Sequence, residues 1–305
     1  MNITLTCPTF FLLNTKSHEI TVDAVLSCSP LSHFYNTSLV LSFVSPNQCI
    51  SSDSRLIFTH KYLRCLFNRE IAVVNTETDV IERLAQILQE EANRSIKNNG
   101  LFKIGLSGGS LVTMLPKSLK NLTTEWEKWR FFFCDERIVP FDSNDSTFGA
   151  YKKTLIGPFP IEESQFVTIT PGLSAEENGR YYIQKMSVYF PPDTLPKFDV
   201  LLLGMGPDGH TCSLFPDHKL LKETSVWVAP ITDSPKPPPS RITFTFPVLN
   251  HARYCIFPII GASKAAMVKN VLEDEKYPAG RVKTVQPGKT VWILDEAAAS
   301  DYKKS

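Results

Sequence analysis

The residues best placed to do chemistry are Asp208 and His210, two positions apart in Gly204-Met205-Gly206-Pro207-Asp208-Gly209-His210-Thr211. A histidine can take a proton from water near neutral pH, because its unperturbed pKa is about 6.5. Glycines at 204, 206 and 209 let the backbone turn sharply and approach a ligand closely. A tight turn with a capping aspartate and a surface histidine has the same composition. The apolar run Val200 to Leu203 just before it shifts the reading toward a site. That run reads as a buried strand, and open α/β sheets bind ligands at the carboxyl ends of their strands.

Three more clusters follow apolar runs in the same way. Ser107-Gly108-Gly109-Ser110 stands between the run Leu101 to Leu106 and a helical stretch from Leu111. Strand, Gly-rich turn and helix point amide N–H groups at an anion, although an ordinary connection capped by Ser110 reads alike. Asp135-Glu136-Arg137 ends the run Trp129 to Cys134, and its Glu136–Arg137 part also fits a solvated pair. Gly261-Ala262-Ser263-Lys264 follows Tyr254 to Ile260 and opens a helix to about Glu273. A lysine in a first helical turn opposes the macrodipole, and an anion held nearby would account for it. Arg241 closes the proline-stiffened loop Asp233 to Arg241, which feeds a strand over Ile242 to Phe246; Lys236 on that loop either reaches the site or only solvates it. Cations and exposed amides suit a phosphomonoester, and Asp with His suits proton transfer.

These loops need elements to carry them, and the pattern is α/β. Ile71 to Val74 reads as a strand, and Thr76 to Lys97 as a helix with Val80, Ile81, Leu84, Ile87 and Leu88 on one face, stopped at Asn98-Asn99-Gly100. Phe148 to Leu155 and Ala175 to Tyr189 read as helices, Val291 to Leu294 as a last strand, and Ala297 to Ala299 as part of a terminal helix. Residues 1–66 differ. They are rich in Ser, Thr, Phe and Leu, hold four of the seven cysteines and show no sustained period of 2 or 3.6. A poorly ordered extension is expected there, with the catalytic domain over 67–305. Its apolar patches Phe10 to Leu13 and Leu39 to Val44 are too interrupted to predict an element.

Composition narrows the class. A formal net charge of +1 gives no electrostatic case for nucleic acid or a membrane surface. No run of about 18 apolar residues suggests a membrane span. Seven cysteines without Cys-x-x-Cys or Cys/His metal spacing suggest reduced thiols, hence the cytoplasm, with organelle targeting by residues 1–66 left open. A monomer without cofactor or metal is expected. Neither a Walker lysine, a Gly-x-Ser-x-Gly elbow nor a dinucleotide fingerprint is present.

Phe198 to Pro216, Cys134 to Arg137, the Ser107 to Ser110 loop and Asp233 to Arg241 together resemble the 6-phosphogluconolactonase family, over about Ile71 to Ala299. The resemblance implies a doubly wound, mostly parallel sheet flanked by helices, shared with glucosamine-6-phosphate deaminase. It also implies metal-free hydrolysis of 6-phospho-D-glucono-1,5-lactone to 6-phosphogluconate in the oxidative pentose phosphate pathway. By the same resemblance His210 is the general base on water, Asp208 orients it or holds sugar hydroxyls, and Asp135 is a second acid near the sugar. Phosphate would sit on Ser107, Gly108, Gly109 and Ser110 with Arg137, Arg241 and Lys264. The deaminase motif continues to a glutamate where this chain has Phe215, and no acid lies between His210 and Asp217, which favours the lactonase. A non-catalytic sugar-phosphate sensor is the remaining alternative, opposed by the presence of both Asp208 and His210.

Overall fold

The structure, a computed structural model, describes residues 69–191, 193–285 and 287–302, together with the backbone of three strands nearer the amino terminus. The chain divides into units 1–57 and 58–305, a boundary ahead of the 66/67 expected. In the first unit β1 (Phe10–Lys16), β2 (Glu19–Val25) and β3 (Asn36–Val40) form an antiparallel sheet in that order. No element was expected there. Strand formation depends on partners across the ladder more than on a residue's own preference, so the interrupted patches hid these strands.

In the second unit six parallel strands line up as β4 (Arg69–Val74), β12 (Lys289–Asp295), β11 (Tyr254–Ile259), β8 (Val200–Leu202), β5 (Phe102–Leu106) and β6 (Trp129–Phe133). Both faces are covered, which explains why the strands read as unbroken apolar runs. Alternation sends Phe131, Phe133, Val200, Leu202, Ile256 and Ile293 to one core, and Phe132, Leu201, Leu203, Phe257, Trp292 and Leu294 to the other. The first core is closed by α1 (Glu77–Asn99), α2 (Leu111–Leu119) and α3 (Thr147–Leu155), the second by α4 (Ala175–Met186), α5 (Phe246–His251) and α6 (Ala265–Glu273). α1 is bounded as its sequence demands: Thr76 and Asp79 form a reciprocal capping box, and Gly100 ends the helix with φ 76°. Among the described residues no helix is long and apolar enough to cross a membrane.

From β5 the chain moves outward to β6, whereas from β8 it moves the other way, through β11 to β12. Their carboxyl ends therefore flank the point where the winding reverses, and loops leaving there part to open a crevice. β7 (Asp135–Arg137), β10 (Arg241–Phe244) and β9 (Val228–Ile231) form a second, antiparallel sheet in that order. Asp135-Glu136-Arg137 is thus a strand of its own rather than the end of one. The expected terminal helix is a succession of turns after β12, and α4 ends at Met186 rather than Tyr189.

Candidate active site

The turn after β8 is built to hold an imidazole. Gly209 N–H donates to Gly206 O (3.1 Å) and Gly206 N–H to His210 O (2.9 Å), closing the loop on itself. Gly209 has φ +77°, which a side chain would resist. At Gly206 the requirement is space: a Cβ would stand 2.0 Å from His210 Nδ1 and 2.8 Å from Asp208 Oδ1. In that gap His210 Nδ1 meets Asp208 Oδ1 at 2.5 Å. A carboxylate accepts, so Nδ1 carries the hydrogen and Nε2 keeps the lone pair. The Phe215 ring packs on the imidazole with centroids 4.7 Å apart.

Lys236, left open by the sequence, completes this group. Its Nζ donates to Asp208 Oδ1 (2.9 Å) and lies 3.1 Å from His210 Nδ1. Burial lowers the pKa of His210, Asp208 opposes that, and the nearby Lys236 charge adds to it. The imidazole is therefore neutral through physiological pH. Burial works against ionised Asp208, but hydrogen bonds from His210 and Lys236 outweigh it and bring its pKa down to about 2. Lys264 donates to Met205 O (2.9 Å), and burial followed by repulsion from Lys236 weakens its hold on a proton. It stands on the Asp208 side of the crevice.

Arg241 departs from the role of an exposed phosphate clamp. It is buried, and its Nε donates to Pro238 O (2.9 Å) while Nη2 donates to Lys236 O (2.8 Å) and Pro237 O (3.1 Å). Nη1 donates to Ser213 Oγ (3.3 Å), which in turn donates to Asp135 Oδ2 (2.8 Å). The guanidinium thus ties the proline loop, and with it Lys236, to buried Asp135. Prolines supply carbonyls without competing N–H groups, a reason for their density in this loop.

Arg137 faces Arg241 across the β7–β10 ladder. Burial and then the charge of Arg137 lower the pKa of Arg241. Like charges directly opposite are unfavourable in a sheet, and a bound anion would relieve them. Arg137 Nη1 donates to Asp145 O (3.0 Å), while its Nε is buried without a partner. Beside it stands the loop after β5. Ser107 N–H still donates to Leu202 O (3.1 Å), but among the described hydrogen bonds the N–H groups of Gly108, Gly109 and Ser110 reach no protein acceptor. Ser110 does not cap α2 with its side chain, so the N-terminus of that helix faces the crevice open. Ser107 Oγ and Thr147 Oγ1 are also buried and unpaired.

Two residues here escaped the sequence reading as contributors. Thr147, the first residue of α3, packs on Gly108, and Glu136 accepts the backbone N–H groups of Arg137, Thr147 and Phe148. A period-2 reading of Asp135-Glu136-Arg137 would have set Glu136 on the face opposite its neighbours. Thr147 carried no signal of its own.

Residues 75–292 match the family described as glucosamine-6-phosphate isomerases/6-phosphogluconolactonase. The chain is 47% identical over 237 residues to the 6-phosphogluconolactonase of Homo sapiens, covering 75% of this chain and 92% of that one. It is 35% identical over 245 residues to 6-phosphogluconolactonase 3, chloroplastic, of Arabidopsis thaliana, covering 76% and 75%. The solved structure of 6-phosphogluconolactonase from Thermotoga maritima superposes with a TM-score of 0.66 at 26% identity, over 75% of this chain and 100% of that one. That from Trypanosoma brucei does so with a TM-score of 0.65 at 27% identity, over 77% and 99%.

Proposed function

The chain belongs to the glucosamine-6-phosphate isomerase/6-phosphogluconolactonase family, and from that premise we propose that it hydrolyses 6-phospho-D-glucono-1,5-lactone with His210 as the general base. The observation that carries this reading is the Asp208–His210 contact at 2.5 Å, which leaves Nε2 as the proton acceptor. Water, losing its proton to Nε2, adds to the lactone carbonyl carbon. The tetrahedral intermediate then collapses by breaking the bond to the ring oxygen, which takes the proton back from Nε2. The product carboxylic acid releases its own proton to solvent. General acid–base catalysis of this kind contributes about 10²–10⁴-fold.

The phosphate is assigned to the amides of Gly108, Gly109 and Ser110 and the open N-terminus of α2, with Ser107 and Arg137 around it, while Lys264, bonded to Met205 O, belongs to the dyad's end of the crevice rather than to the phosphate. Arg241 serves the pocket by positioning Lys236 and Asp135 and adds its charge from behind. Binding the phosphate at one end places the carbonyl before His210 at the other, so remote binding energy goes into orientation. Lys236 and Lys264 flank the dyad, and their field favours the oxyanion of the intermediate. Phe215 packs against His210 where an isomerase would need a second proton carrier, which favours hydrolysis over ring-opening isomerisation.

A time-resolved assay on freshly generated lactone tests the reading. Enzyme-accelerated hydrolysis of the 6-phospho lactone is expected, with far slower turnover of unphosphorylated glucono-1,5-lactone. Ammonia release from glucosamine 6-phosphate, with no acceleration of lactone hydrolysis, would overturn it.

A further inference from the structure

Glu136 is fully buried, and its carboxylate receives three backbone N–H groups, with the Thr147 hydroxyl close enough to favour its charged form. Arg137 (2.8 Å) and Thr147 (2.8 Å) donate to Oε1, and Phe148 (2.7 Å) donates to Oε2. The protein thus fills the N-terminus of α3 with an anion of its own, while that of α2 stays open. Between the two lies the Thr147 hydroxyl. It neighbours the Glu136 carboxylate without a well-formed hydrogen bond, and a Cβ on Gly108 would stand 3.4 Å from it. Thr147 is 3% exposed and Ser107 4%, and both hydroxyls lack partners. Unpaired buried hydroxyls are rare and costly, and two of them flanking the same glycine loop point to a ligand there.

Resting on the phosphate pocket assigned above, we propose that Thr147 is a further ligand of the substrate phosphate and that Glu136 is its positioning residue, holding a proton while the phosphate is bound. The Glu136 carboxyl, protonated from solvent, donates through Oε2 to Thr147 Oγ1, and the threonine hydroxyl donates onward to a phosphate oxygen. The threonine has one hydrogen to give. An ionised Glu136 competes with the phosphate for it and repels the dianion as well. Burial pushes the Glu136 carboxyl up to about 7, with the three backbone donors and the Thr147 hydroxyl opposing, so the proton is at hand near neutral pH. Other ionisable groups surround Glu136. Asp135 and Arg137 share its strand, Arg241 lies on β10, Asp145 precedes α3, and the Tyr182 hydroxyl on α4 is kept neutral by burial.

The test is calorimetric titration of the full chain with 6-phosphogluconate at about pH 7.5, in two buffers of different ionisation enthalpy. Wild type should take up more protons on binding than Glu136→Gln, and the rise of KM with pH above neutrality should flatten in that variant. Thr147→Val should bind 6-phosphogluconate about tenfold more weakly, and Thr147→Ser should restore binding. Equal proton uptake by wild type and Glu136→Gln overturns the proposal. So does wild-type affinity in Thr147→Val, or a Thr147→Ser variant as weak as Thr147→Val. If Glu136→Gln does not fold, the two Thr147 variants decide the matter. Failure of the pocket itself looks different: wild type would then bind gluconate as well as 6-phosphogluconate.

Discussion

Replacing Lys236 with methionine asks whether the cation beside the dyad sets the protonation of the base. Lys236 Nζ lies 3.1 Å from His210 Nδ1, so an ammonium there opposes an imidazolium. With the screening of water, appropriate to a side chain that is 35% exposed, two unit charges at that distance repel by about 1.3 kcal/mol. That corresponds to about one pKa unit. The sign follows: Lys236 depresses the imidazole pKa, so its removal raises it. Activity requires neutral His210 and is lost as pH falls through that pKa. The acid limb of kcat/KM should therefore begin below pH 6.5, the ordinary histidine value, in wild type, and move up by about one pH unit in Lys236→Met. Methionine keeps the stem's bulk and gives up only the ammonium, which lies 6.0 Å from the Phe215 ring centroid. The assay is initial-rate hydrolysis of freshly generated lactone from about pH 4.5 to 8, with spontaneous hydrolysis subtracted at each pH. Superimposable profiles, or an acid limb that moves downward, would refute the reasoning.

Two other substitutions probe the scaffold. Gly206→Ala puts a methyl where His210 and Asp208 already stand, 2.0 Å from the ring; kcat should fall about 100-fold or more with 6-phosphogluconate affinity retained, as kinetics and titration would show. Arg241→Ala strips donors from the carbonyls of Lys236, Pro237 and Pro238 and from Ser213 Oγ. Unfolding free energy should drop by about 3 kcal/mol or more in denaturant melts, and activity should fall with it; unchanged stability would reject its positioning role.

The dyad, the glycine loop and the doubly wound plan were legible because each rests on short-range pattern. Apolar runs ending in glycine mark parallel strands, and Asp208 and His210 sit on a single turn. The antiparallel sheet was not legible, since β7 is three residues long and all three are charged, and its pairing with β10 spans about a hundred positions of sequence. That pairing decides what Arg241 does. Read along the chain it looks like a cation at a loop end, whereas three-dimensional closure turns it inward to carbonyls only five or fewer residues away. Thr147 and Glu136 were obscured for a related reason. Their significance lies in which hydrogen bonds are already taken at α3 and which are left unmade, and only coordinates report that.

The central claim is that His210 Nε2 deprotonates water while the phosphate is held elsewhere. The most direct test is His210→Ala, measured for single-turnover lactone hydrolysis and for 6-phosphogluconate affinity in the same preparation. In that variant the rate should fall about 10²–10⁴-fold while 6-phosphogluconate affinity stays close to that of wild type. Turnover near the wild-type rate would contradict the claim.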